Sequence, residues 1–453
     1  MNDFYSAGVQ DNKFALLHNI NANVKIAVRT PVGKTSREGI YNAITQGDVF
    51  GPMLCSKQVD TFGQECLKES RYTYLYKGWV EIPPLSMVDD LLSVSECGFK
   101  TQTVNAFLTF KTDSKKLQFG AQKCKKLHVG KNLASYKCTA MKVDEWKEVE
   151  VVNEETGIDE IKDICNDKYE MEEKEDEKYL GDLISVDGRN VKNIKSRVAK
   201  GTGIISKILS ILDGIPFGQY YYEVAMILRN SLLLSSLLCN SESWYNVTQA
   251  ELNLIESVDL QFFRRILNVP KSTHKEMFYL EFGCIPLRHL IRKRRIMFLH
   301  YILNQDSDSI LHRFLMAQIE NRSKKDWIVQ VLTDKNERKM NDDLNKIKQV
   351  KKSKFRNMLD RKIKQNAFED LIIKQESHSK VKGLKYKIFQ MQKYLTPCEI
   401  NITQEEAQEI FKLRTRVTDV KYNYKGKYES FECEISKKDY ESQKILNILE
   451  CEN

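Results

Sequence analysis

Proline and glycine are scarce in this chain of 453 residues, at 8 and 20. That scarcity excludes collagen-like repeats and a Pro/Gly-rich disordered chain. No window approaches 18 uninterrupted apolar residues, and the longest apolar stretch, near Leu232–Cys239, is broken by serines. No membrane span is therefore expected. The opening Met1–Ala7 segment lacks the basic flank and apolar run of a secretory signal. Eleven cysteines are scattered without a compact framework, and their number is odd. Reduced thiols in the cytosol or nucleus are the simpler expectation. Missing as well are a Gly-x-x-x-x-Gly-Lys-Ser/Thr loop, a His-Glu-x-x-His pair and a Gly-x-Ser-x-Gly elbow. These absences set aside the P-loop, zincin and α/β-hydrolase chemistries.

What is present describes a folded, Lys-rich protein: 42% hydrophobic, 10% aromatic and 29% charged residues. At about 150 residues per domain the length suits two to four domains. The net charge of +9 is unevenly spread. Residues 144–177 hold 16 acidic residues against 4 lysines, a net of −12 that leaves +21 on the rest of the chain. A basic body with one acidic insert suits a polyanion, most simply nucleic acid. A Lys-rich solvated surface has the same composition, so charge alone leaves both readings open.

The first 131 residues are mixed in period. Asn23–Thr30 alternates as a half-buried strand does, and Pro31-Val-Gly33 carries turn chemistry. Tyr72–Gly78 and Trp79–Pro83 read as a second strand pair. The acidic stretch reads as a polar linker with a marginal helical pattern around Thr156–Cys165. From Asn190 onward the helical period dominates. Thr248-x-x-Glu251 forms a capping box ahead of Leu252, Ile255, Val258, Phe262 and Ile266, and Pro270 marks the end of that helix. Arg288, Arg292, Lys293, Arg294 and Arg295 cluster on a later helix. Residues 324–393 add 20 basic against 9 acidic side chains.

Three segments could carry chemistry. In Pro83–Val94, adjacent Asp89 and Asp90 interrupt two short apolar runs. On one straight strand they would face opposite ways, whereas a hairpin turn brings both to one edge, where they suit a hard divalent cation. A plain turn or helix start explains Asp-Asp equally. Upstream, Gln46 and Gly47 precede an amphipathic helix with Leu54, Val59 and Phe62 to bury, and a glycine there permits close approach of a ligand. An ordinary loop-to-helix entry has the same look. Downstream, Lys123, Lys125 and Lys126 flank a short strand and suit phosphate or a protected sheet edge.

In this order the segments resemble the reverse transcriptase of non-long-terminal-repeat (LINE-like) retrotransposons. Gln46-Gly-Asp-Val-Phe-Gly51-Pro52 resembles that family's Pro-Gln-Gly-Ser-x-Leu-Gly-Pro segment. Met87-Val-Asp89-Asp90 resembles its aromatic-Ala-Asp-Asp box, and Lys123-Cys-Lys125 its Lys-Thr-Lys strand. Lys178-Tyr179-Leu180-Gly181 resembles the Tyr-Leu-Gly hairpin that grips the primer. Cys239–Trp244 resembles the Tyr-Gly-Ser-Glu-x-Trp segment of the thumb, and Arg264-Arg265-Ile-Leu267 the Arg-Arg-Ile-Leu that follows it.

The resemblance implies an α+β fold: a partial polymerase palm of antiparallel sheet and helices, then an all-α thumb and a helical C-terminal region. The expected division is a palm at 1–143, an acidic linker at 144–177, a primer-grip-like hairpin at 178–189 and a thumb at 190–315. A basic helical region at 316–400 and a degenerate zinc-knuckle-like tail at 401–453 complete it. It implies two-metal nucleotidyl transfer, with Asp89 and Asp90 on Mg²⁺ or Mn²⁺. Gln46, Gly47 and Lys123 would serve nucleotide and template, Tyr179, Leu180 and Gly181 the primer, and Arg264, Arg265 and Arg292 the nucleic-acid backbone. The implied partners are an RNA template, a DNA primer and dNTP.

Several residues depart from the family pattern. Its Asp-x-x-x-Ala-Phe-Asp segment has no match in the 45 residues before Gln46, where Asp3 and Asp11 lack the strand context. Met87 stands for the aromatic and Asp48 for the Ser. A truncated copy, catalytically incomplete as this chain, is expected. Ile410–Val420 and Tyr428–Cys433 resemble the approach to a zinc knuckle. Only Cys433 and Cys451 remain as ligands, with Ser436 in a Cys-x-x-Ser and no histidine after His378, so no zinc is expected. A non-enzymatic nucleic-acid-binding remnant and a helical interaction scaffold are the competing classes.

Overall fold

A computed structural model describes residues 24–27, 29–30, 33–36, 38–40, 51–114, 117, 119–129, 142–152, 159–215, 221–336, 344–378, 381–388, 390–395, 403–415 and 417. The chain divides into two compact units, Met1–Gly188 and Arg189–Asn453. Among the described residues no helix is long and apolar enough to cross a membrane.

Unit 1 is built from small strand pairs around two helices. Strands β1 (Val24–Ile26) and β4 (Glu38–Ile40) pair antiparallel and enclose the pair β2 (Arg29–Thr30) and β3 (Gly33–Lys34). The Pro31-Val32 part of the expected turn lies outside the described residues. Helix α1 (Gly51–Cys66) buries Val59, Phe62 and Cys66, spaced to share one face. After it, β5 (Tyr74–Tyr76) pairs with β6 (Val80–Ile82), and β7 (Leu85–Met87) with β8 (Asp90–Leu92). Helix α2 (Gly98–Ser114) adds Val104 and Leu108 to the α1 residues, and this group is small for a core. Tyr72 stacks on Phe107 with ring centroids 4.2 Å apart.

The acidic stretch is not a linker. Strand β9 (Lys125–Lys126) comes first, then β10 (Lys142–Val152) pairs antiparallel with β11 (Asp159–Glu170), with a register shift at Glu145/Trp146. Val143, Val149, Val151, Ile161 and Ile164 are β-branched, and that strand preference prevails over the acidic composition. Strand β12 (Glu172–Glu173) runs parallel to β9, and two of its charges serve as cross-strand partners. Lys125 Nζ lies 2.9 Å from Glu172, and His128 Nδ1 3.1 Å from Glu173. Strands β13 (Asp176–Tyr179) and β14 (Asp182–Ser185) close the unit as a hairpin.

Unit 2 is helical in its described part. It contains α3 (Val191–Asp213), α4 (Tyr221–Leu228) and α5 (Leu234–Leu237), the last two joined by a π-helical turn at Arg229–Leu233. Then follow α6 (Gln249–Leu267), α7 (Lys275–Glu281), α8 (Leu287–Leu303) and α9 (Ile310–Glu320). Last come α10 (Trp327–Asn336), α11 (Leu344–Gln349), α12 (Lys352–Ser377) and α13 (Gln404–Thr415). The capping box of α6 forms as the sequence predicts: Thr248 Oγ1 accepts the Glu251 N–H at 3.2 Å, and the Glu251 carboxylate accepts the Thr248 N–H at 2.6 Å. The helix stops on Asn268 in a left-handed conformation, two residues before Pro270.

Phe262, Phe263, Phe278 and Trp244 are buried in one large core, and Ile296, Leu299, Phe355 and Leu359 lie in a second. At Gly201 of α3, side chains of α5 and α6 pack close against the backbone. A Cβ there would meet Leu237 Cδ2 at 2.7 Å and Val258 Cγ1 at 3.0 Å. Helix α13 corrects the expected tail. The start of the 401–453 segment is a core helix, with Phe411 stacked on Phe278 at 5.6 Å and Arg414 Nε 3.0 Å from the buried Glu281. Cys433, Ser436 and Cys451 lie outside the described residues.

Candidate functional site

Register Met87↔Asp90 leaves Val88 and Asp89 as the two central residues of the β7–β8 turn. So short a loop requires positive φ, and Val88 adopts φ 60°. For a β-branched residue this is a strained conformation, of the kind that concentrates at functional sites. The turn sets Asp89 at its tip and Asp90 at the first position of the return strand, both exposed. The expected hairpin is thus formed, and its carboxylates face water.

Two neighbouring groups register these charges. Burial raises the Cys55 thiol above its ordinary pKa, and the charge of Asp89 raises it further. Burial likewise raises the Tyr179 phenol, with a second push from Asp90. Asp89 therefore lies within electrostatic reach of α1, and Asp90 within reach of the β13–β14 hairpin. Beside the turn, Ser86 Oγ donates to Asp60 Oδ1 at 3.3 Å.

The second hairpin turns on Leu180 and Gly181, with φ 47° and 86°, a primed turn in which both central residues are left-handed. A Cβ on Gly181 would meet nothing within 4 Å, so backbone conformation rather than space calls for glycine. Leu180 is exposed at the tip, and Tyr179 is half-buried beneath it. Asp90 and Tyr179, far apart in the chain, are thus brought within electrostatic reach of each other.

The other expected site residues are placed as follows. Lys123 is exposed at the end of a 3-10 turn and forms no ion pair among the described residues. Gln46 and Gly47 lie outside the described residues. Arg264 lies over the Phe278 ring at 5.7 Å and is lowered from its ordinary pKa by burial. Arg265 is exposed, with Nη1 3.5 Å from Ser206 Oγ. Arg292 is engaged by Asp334 at 3.4 Å, and Arg295 reaches the same buried carboxylate at 2.9 Å.

The basic cluster of α8 is thus largely spent inside the unit. Arg288 Nε donates to Glu256 at 2.7 Å, Lys293 pairs with Asp360, and Arg294 donates to the Leu238 carbonyl. In the sequence these residues cluster on one helix together with apolar residues. The interleaved Ile291, Ile296 and Leu299, all buried, are the signal that their stems enter a core.

Two exposed carboxylates in one turn fit a hydrated Mg²⁺ completed by water and phosphate oxygens. Among the described residues no group of three or more His, Cys, Asp or Glu side chains could hold a metal ion. The turn by itself therefore fits one loosely held cation and not a two-cation cage. Compared with known proteins, the chain matches no family model, no curated protein and no solved structure.

Proposed function

We propose that the chain is the palm and thumb portion of an RNA-directed DNA polymerase of the LINE-like type, incomplete for catalysis as it stands. One observation carries this reading: the strained Val88–Asp89 turn presents Asp89 and Asp90 to solvent, with Asp90 within electrostatic reach of Tyr179 of the Tyr-Leu-Gly hairpin. Two segments independently resembling polymerase pieces thus come within electrostatic reach of each other, and the carboxylates are exposed. A bound divalent cation would supply charge neutralisation for a triphosphate and activation of a 3′ hydroxyl. Asp89 and Asp90 would ligate it, and exposed Lys123 would face phosphate. Arg265 is the best placed of the three expected arginines to meet a nucleic-acid backbone.

The test is primer extension on an RNA template with Mg²⁺ or Mn²⁺. This chain is expected to bind primer–template with steep salt dependence but not extend it. Fusion in frame to the upstream Asp-containing segment of an intact relative is expected to give extension that Asp89→Asn abolishes. Extension indifferent to Asp89 would overturn the assignment of this turn.

A second reading, a nucleic-acid-binding chain without catalysis, is favoured by the exposed basic residues of α12. Lys354, Arg361 and Lys364 form no ion pair among the described residues. Failure of every fused form to extend, with binding retained, would select it.

A further inference from the structure

Between α8 and the segment leading into α12 lies a cavity of about 300 Å³. Its walls are pinned by His300, whose Nε2 lies 2.8 Å from the Val350 carbonyl and whose ring stacks on Phe355 at 4.4 Å. The cavity is therefore preformed. Tyr301 lines it and is 44% exposed, its ring held nearly parallel to Phe298 at 6.0 Å between centroids. Asn304 and Gln305 line it too. Their amide nitrogens donate to the His300 and Tyr301 carbonyls at 2.9 and 3.3 Å, which leaves both amide oxygens as acceptors. Opposite stand Lys348, Lys351 and Lys352, all exposed and without an ion pair among the described residues. Among the described residues no carboxylate lines the cavity.

The basic surface continues along α12. Lys354, Arg361 and Lys364 recur on the side away from buried Phe355, Leu359 and Ile363. At 1.5 Å per residue they span about 15 Å. An open aromatic ring, amide oxygens and lysines converging on one cavity match the parts of a nucleotide: a base to stack, an edge to bond and a phosphate to neutralise. A basic track leading away from it matches the backbone of a strand.

We propose that this cavity takes one unstacked nucleotide of single-stranded nucleic acid, with the adjoining backbone lying along the exposed face of α12. The inference rests on the reading of the partner as nucleic acid, but not on Asp89, Asp90 or any polymerase activity.

The test uses the full chain and a fluorescein-labelled 12-nucleotide single-stranded RNA, read by anisotropy across a salt series. Tyr301→Ala is expected to weaken binding about tenfold, within the range for loss of one stacked base. Tyr301→Phe, which keeps the ring, is expected to bind like the parent. A combined Lys354→Glu, Arg361→Glu, Lys364→Glu variant is expected to weaken binding further and flatten its salt dependence. Removal of divalent cations with EDTA, on which primer extension depends, is expected to leave this binding unchanged, so failure of the polymerase reading and failure of this one are distinguishable. Unchanged RNA affinity in a Tyr301→Ala protein that melts like the parent would overturn the proposal. So would AMP competing as tightly as the strand while the α12 variant has no effect, since the ligand would then be a free nucleotide.

Discussion

Charge does opposite work in the two units. In unit 1, Asp89, Asp90 and Lys123 face water on short turns, supported by a core of a few residues from α1 and α2. In unit 2, many charges of the same kinds are interior and paired. Arg229 forks onto Asp259 with both bonds at 2.7 Å, Tyr279 donates to Asp259 at 3.2 Å, and Phe263 lies under the guanidinium at 5.0 Å. Burial pulls the Arg229 pKa down, but Asp259 outweighs it and the guanidinium is raised overall. The comparison shows that a run of basic residues marks a binding face only where the apolar stripe leaves those residues outside. The α8 arginines alternate with buried positions and are spent on Glu256 and Asp334, whereas the α12 lysines lie opposite the stripe and stay open.

The largest effect is expected on breaking the interior pair. Arg229→Ala strands a fully buried Asp259 and should cost about 3–5 kcal/mol in chemical denaturation. Replacing both partners, Arg229→Met with Asp259→Leu, should recover most of that loss, because apolar residues of similar volume need no compensation. A single variant losing under about 1 kcal/mol would show that unit 2 does not depend on the pair.

Next comes close packing. Gly201→Ala places a methyl 2.7 Å from Leu237 Cδ2. It should lower stability by about 1–3 kcal/mol through overpacking, despite the better helix propensity of alanine. A stabilised variant would mean that α3 yields at that crossing.

Smaller still is the cap of α6. Thr248→Ala removes one side of the box and should cost about 1 kcal/mol, read as a lowered melting temperature.

The smallest expected effect sharpens the contrast from the side of unit 1. Val88→Gly relieves a β-branched residue at positive φ and should be neutral to stabilising, by up to about 1 kcal/mol. Asp89→Asn, at an exposed position, should change stability by less than about 0.5 kcal/mol. A clearly destabilised Asp89→Asn would mean that the carboxylate holds the turn together instead of standing open to a ligand.

Much of the local structure is legible in the sequence. The capping box at Thr248, the stop before Pro270 and the hairpin around Asp89 all follow from short-range chemistry. The acidic stretch misleads because composition and periodicity conflict: counting carboxylates suggests a linker, while β-branched residues support the β10–β11 ladder. Within Ile410–Val420 the packing of the described residues is not legible for a different reason. A likeness to a knuckle approach says nothing of Phe411 and Arg414, whose partners Phe278 and Glu281 are more than 130 residues away. The Tyr301 cavity carries no motif at all, since its lining comes from two segments joined only by folding.

By itself the sequence determined where α6 begins and ends, which of its faces is apolar, and that two adjacent carboxylates sit in a turn between short strands. These are properties of neighbours a few residues apart, set by backbone sterics and side-chain period. Only the tertiary structure decided that Asp90 comes within electrostatic reach of Tyr179, that Arg292 is held by Asp334 while Lys354 stays open, and that Tyr301 shares a cavity with three lysines. Each of those depends on which distant segment packs alongside, and the burial that packing imposes fixes whether a charge is paired inside or left free to bind.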